Sequence, residues 1–184
     1  MTDKQGRAAV ASLVTAGSVL LAAGCASSGT AARSPASHST AGNVPAAGNM
    51  AAAAARLKAM AARYMAIARP ANRELDHEFD GFGDHMNDGD LAAARADLGA
   101  AAVTERRFDR QLTGLSFPPR AEPFVRLLYR ANQARAALTS TAAGATSLRE
   151  LRGYQRRLDA ANGPVEDAVR IIRGQLGLPP PDTS

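Results

Sequence analysis

The chain runs to 184 residues with a formal net charge of +5, and arginine supplies nearly all of the positive charge. A single cysteine and the absence of tryptophan exclude a disulfide scaffold and leave little stacking surface for nucleic acid, so no nucleic-acid partner is expected. What remains is an alanine-rich chain whose stability must come from helix packing.

Lys4 and Arg7 precede an uncharged stretch, Ala8 to Ala23, that holds Val10, Leu13, Val14, Val19, Leu20 and Leu21. A membrane-spanning helix needs about 20 predominantly apolar residues, and this shorter run is interrupted by Gly17 and Ser18. Residues 1–24 therefore read as a cleaved export signal rather than as a spanning anchor. Leu21-Ala22-Ala23-Gly24-Cys25 closes the run with small residues before the sole cysteine. That pentapeptide resembles the lipobox of bacterial prolipoproteins, with leucine one position further from the cysteine than is commonest. The resemblance implies that Cys25 takes a thioether-linked diacylglycerol and becomes the mature N-terminus. The protein would then be held on the extracytoplasmic face of the cell membrane. Two acyl chains anchor stably where one does not, at about 0.8 kcal/mol per buried CH₂. The arginine- and alanine-rich composition resembles that of small exported lipoproteins of GC-rich actinobacteria.

From Ala26 to Asn49 the chain is built of Ala, Ser, Gly, Thr, Pro and Asn, with Arg33 and His38 its only titratable side chains and Val44 its only large apolar one. Such a segment cannot bury enough apolar surface to offset the entropy of ordering it. Residues 25–49 read as the lipidated residue and a flexible linker, reaching roughly 25–30 Å.

Residues 50–178 suit one domain with one core. The first helix begins near Met50 on a stripe of Leu57, Met60, Tyr64, Ile67, Leu75 and Phe79. Gly81 and Gly83 are expected to stop it, and Asp84 to Asp90 to form a turn. The second helix starts at Asp88 or Asp90, whose carboxylates suit the free N–H groups of a helix start. It buries Leu91, Ala94, Leu98, Ala101, Ala102, Phe108 and Leu112 and ends at Gly114. Ser116-Phe117-Pro118-Pro119 makes a stiff join. The third helix runs from about Arg120 to Ala143 on a stripe of Phe124, Leu127, Leu128, Ala131, Ala134 and Leu138. Ser147 and Glu150 form a capping box for the fourth, whose stripe is Leu148, Leu151, Tyr154, Leu158, Val165, Val169, Ile172 and Leu176. Residues 179–184 read as a disordered tail. Long helices with short joins predict an all-α, antiparallel up-down-up-down four-helix bundle.

Two of these helices carry interior prolines, Pro70 and Pro164, each of which removes a backbone donor. In an antiparallel bundle the two kinks fall at similar height. Asn72 and Asn162 flank them, and Glu105, Arg130 and Asn132 come to the same level from the other helices. These five form a candidate ligand layer, whose polar groups would satisfy the freed carbonyls, with water where needed. A structural layer is the plainer reading of the same residues.

Glu74 and His77 form a Glu-x-x-His spacing, which carboxylate-bridged di-iron bundles use because residues three apart share a helix face. Such a site needs a second copy of the motif, and none occurs; Asp97 and Glu105 are the remaining partners. Asp84, His85 and Asp88 are further metal candidates, although Asp84 to Arg95 fails the calcium-loop pattern at Met86 and Arg95. No nucleophile set, phosphate loop or dinucleotide fingerprint occurs, so neither catalysis nor a cofactor is expected. Arg126 and Arg130, with Arg149, Arg152 and Arg156, offer a basic face to anionic lipid or wall polymer. The expected role is a non-enzymatic, membrane-anchored binding or scaffolding domain whose partner is an envelope protein or an anionic polymer. The alternatives are a ferritin-like metal-binding bundle and a small-ligand bundle using the kink layer.

Overall fold

The computed structural model describes residues 47–181. They form four helices, α1 (Ala47–Asp88), α2 (Leu91–Thr113), α3 (Glu122–Ala143) and α4 (Leu148–Gln175), with no strand among the described residues. Packing is closest between consecutive helices, as an antiparallel up-down-up-down bundle requires. The expected leader, Cys25 and the linker up to residue 46 lie outside the described residues, as do 182–184.

The helix boundaries follow from local chemistry, with one correction. α1 does not stop at Gly81 and Gly83 but continues through the expected acidic turn to Asp88. A glycine inside a helix costs only about 0.5–1 kcal/mol, and continuing the helix buries Phe82 and Met86, which contribute more. The stop is Gly89, in the left-handed region at φ 79°. There the N–H of Asp90 donates to the His85 carbonyl at 2.9 Å, closing a Schellman motif. Asp90 then caps α2, its carboxylate accepting from the Ala93 N–H at 2.9 Å. Ser147 accepts from the Glu150 N–H at 3.2 Å, and Glu150 reaches back to the Thr146 N–H at 2.8 Å. After α4, the carbonyls of Pro179 and Pro180 accept from the Arg173 guanidinium.

A second correction concerns α3. Of the expected stripe Leu128 is buried and Phe124, Ala131 and Leu138 pack half-buried on the core, but the fully buried face is Leu128, Asn132, Arg135, Ala136, Thr139 and Ala142. Leu127 is 52% exposed and Ala134 is exposed. The helix is rotated because the polar side chains find charged partners inside the bundle, which outweighs the burial of one leucine.

The core is consequently split into two apolar clusters. One gathers Tyr64, Met65 and Ala68 of α1 with Phe108, Leu112, Leu128, Val165, Val169 and Ile172. In it Tyr64 meets Phe117 edge to face, with ring centroids 6.3 Å apart. The other gathers Phe82 and Met86 with Ala94, Leu98, Ala142, Leu151 and Leu158. Alanine recurs in both clusters, which lets the helices approach closely where there are few large side chains.

Candidate functional site

Between the two clusters lies a belt of buried polar side chains. α2 contributes Thr104, Glu105 and Asp109, and α3 contributes Asn132, Arg135 and Thr139. Arg135 Nε lies 2.5 Å from Glu105 Oε1, and Arg135 Nη1 donates to Asn162 Oδ1 at 3.1 Å. Asn132 Nδ2 donates to Asp109 Oδ1 at 3.1 Å, and Thr139 Oγ1 donates to the Arg135 carbonyl at 2.9 Å. Towards α1, the Thr104 hydroxyl donates to Glu78 Oε1 at 2.9 Å, with Glu74 Oε2 close by at 3.3 Å. Glu74 is also paired with Arg107.

The belt is charged but not fully satisfied. Neither oxygen of Glu105 receives an aligned hydrogen bond, nor does Asn132 Oδ1, and Arg135 Nε holds its partner by charge and proximity. Burial pushes the Glu105 carboxyl above its usual range, with Arg135 pulling the other way. Burial likewise pushes Asp109 up to about 6, against the opposing effects of Asn132 and Arg135. Burial also raises Glu78 and Asp76, the latter with help from Asp80. In the larger apolar cluster, burial drives Tyr64 up to about 12 while Arg173 opposes the rise.

The spaces around Arg135 are small. A cavity of about 20 Å³, bordered by Asn72, Glu105, Asn132, Arg135 and Val165, suits a single water. A second, also of about 20 Å³, is bordered by Phe79, Phe82, Leu158 and Asn162, and has the same capacity. Neither admits an organic ligand, which would need a few hundred Å³.

Of the five residues placed in the kink layer by sequence, Glu105, Asn132 and Asn162 come together, and Asn72 borders the first cavity. Arg130 does not join them and is exposed on the outer side of α3. Asn162 directs its amide oxygen to Arg135. Both α1 and α4 continue as helices through Pro70 and Pro164. Sequence reasoning missed Arg135, Asp109, Thr104 and Thr139. The available signal was spacing: Asn132, Arg135 and Thr139 share one helical face with Leu128, and Glu105 and Asp109 are four apart.

The metal candidates are not brought together. Glu74 is turned to Arg107 and Thr104, whereas His77 is exposed. Asp84 and Asp88 are exposed, and His85 Nδ1 lies 2.7 Å from Asp97 Oδ2. Asp97 raises the His85 imidazolium pKa above its ordinary value, chiefly through that hydrogen bond. No group of three or more His, Cys, Asp or Glu with metal-binding geometry occurs among the described residues. The belt is thus a network of one cation between carboxylates and amides, suited to fixing helix register. Compared with protein-family models, curated proteins and solved structures, the chain matches none.

Proposed function

We propose that this chain is a lipid-anchored protein of the extracytoplasmic face of the cell membrane, with the bundle as a non-enzymatic binding or scaffolding body. The observation that carries the reading is Leu21-Ala22-Ala23-Gly24-Cys25 at the end of an uncharged apolar stretch behind Lys4 and Arg7. Cys25 is the only cysteine, and acylation gives an otherwise lone exported thiol a chemical purpose. No helix among the described residues is long and apolar enough to cross a membrane, and on this reading the acyl chains do the holding.

The non-enzymatic part draws on the belt. The two enclosed spaces beside Arg135 each hold a single water, and the wider hollow of about 430 Å³ that reaches the belt at Asp109 is open to the surface between Arg106, Arg110 and Tyr129. Arg107 pairs with Glu74 and Arg135 with Glu105, which occupies two of the carboxylates that a metal site would need. The test is growth of a bacterial host expressing the full chain with a clickable fatty acid. The wild-type chain takes up label and enters the detergent phase, and Cys25→Ala does neither. A wild-type chain that takes up no fatty acid and washes from membranes in plain buffer overturns the reading.

A further inference from the structure

α1 has 42 residues and α2 has 23, and they join at the Gly89 turn. At 1.5 Å per residue, α2 covers about 35 Å of a helix about 63 Å long, so the first part of α1 runs on past it. Met60, Ala61, Tyr64 and Met65 are covered by other parts of the chain, but residues 49–56 are exposed. Between this projecting helix and the join after α2 lies an open groove of about 800 Å³. Its floor includes Leu57, Met60 and Phe117, and its rim carries Arg56, Arg63 and Arg120, with no carboxylate bordering it.

Charge along α1 is divided. Residues 47–73 hold Arg56, Lys58, Arg63, Arg69 and Arg73 and no acidic residue. Residues 74–88 hold Glu74, Asp76, Glu78, Asp80, Asp84 and Asp88 and no lysine or arginine. We infer that the groove between α1 and the join at Ser116 to Arg120 is a docking site for the anionic phospholipid surface of a bilayer. Arginine forks match phosphate oxygens, and the apolar floor accepts the glycerol and first methylenes beneath them. A second copy would have to turn its acidic segment, residues 74–88, to the groove, and Glu74 and Glu78 of that segment are already engaged by Arg107 and Thr104. Outside the described residues the chain has only Asp3 and Asp182 as acidic side chains, too few to neutralise the rim. The inference rests on the lipid-anchor reading for its membrane: α1 begins at Ala47, so the basic end of the bundle is the end joined to Cys25.

The test uses residues 26–184, which retain every described residue and carry no lipid. They are sedimented with vesicles of phosphatidylglycerol and phosphatidylcholine, and with vesicles of phosphatidylcholine alone. Binding to the mixed vesicles is expected, with none to the neutral ones and a decline as salt rises. Arg56→Gln with Arg63→Gln should lower partitioning roughly 30-fold, at about 1 kcal/mol per cation. Arg63→Gln alone should lower it about fivefold by the same measure. Arg149→Gln with Arg152→Gln, at the start of α4, should leave it within about twofold, since screening confines each charge to about a Debye length. Absence of binding to the mixed vesicles, equal binding to neutral ones, or equal losses from the two pairs would overturn the site. Fatty-acid labelling of Cys25 is read separately, so failure of the groove and failure of the anchor are distinguishable.

Discussion

Arg135 Nε sits 2.5 Å from Glu105 Oε1, with the arginine 4% and the glutamate 0% exposed. Two charges so placed have lost their water, and their attraction offsets that cost without a large surplus. Removing one partner is therefore far worse than removing both. Arg135→Met should lower unfolding stability by about 3–5 kcal/mol at pH 7, because Glu105 is left buried without its cation. Glu105→Leu combined with Arg135→Met should recover most of that loss. Urea unfolding of the two single variants and the double variant checks this, and equal losses in single and double would contradict it.

Asp109 makes the belt sensitive to pH. Burial raises its folded pKa to about 6, above the ordinary aspartate value of 3.8. The folded state therefore holds the proton more tightly than the unfolded chain does. This contribution to stability is full below about pH 4 and is lost as pH rises through about 6. Asp109→Asn keeps an acceptor for Asn132 Nδ2 and removes the charge. It should stabilise the protein by on the order of 2 kcal/mol at pH 7 and by little at pH 4. Thermal unfolding at the two pH values measures the difference, and a gain of equal size at both would count against a titrating Asp109.

The sequence made the bundle legible because its punctuation is chemical: Asp90, Ser147 and Glu150 cap as their side chains predict. The rotation of α3 was not legible. Leu127 outranks Arg135 on hydrophobicity, and the presence of Glu105 on a different helix reverses that order. Pairing across helices depends on register, which periodicity within one helix does not contain. The prolines mark the height of Glu105, Asn132 and Asn162, but they do not distinguish Arg130 from Arg135, which does the pairing.

His85 and Asp97 tie the end of α1 to α2 through a contact of 2.7 Å. The folded pKa of His85 is raised, so the contribution is full below about 6.5, the unfolded value, and is lost as pH rises through the folded value. Asp97→Asn should bring the His85 titration down towards the ordinary histidine value and remove that loss of stability. Histidine proton shifts followed by NMR across pH 5 to 9 read it directly. An unchanged His85 titration in the variant would mean that Asp97 does not hold the imidazolium.

The glycines of α1 separate a helix interior from a helix stop. A Cβ at Gly83 would meet nothing within 4 Å, and the backbone there is ordinary helix. Gly83→Ala should therefore stabilise the protein by about 0.5–1 kcal/mol through helix propensity. Gly89 has φ 79° and closes the Schellman motif, so Gly89→Ala should cost about 1–2 kcal/mol. Gly81→Ala tests a third case, because its Cβ would come within 3.1 Å of Asp97 Oδ2. Shifting that carboxylate loosens its hold on His85, so this variant should also move the His85 titration downward, whereas Gly83→Ala should not. Unfolding midpoints of the three variants, with histidine titrations of Gly81→Ala and Gly83→Ala, check the set. If Gly83→Ala destabilised as much as Gly89→Ala, α1 would end near residue 83 and the helix would not continue to Asp88.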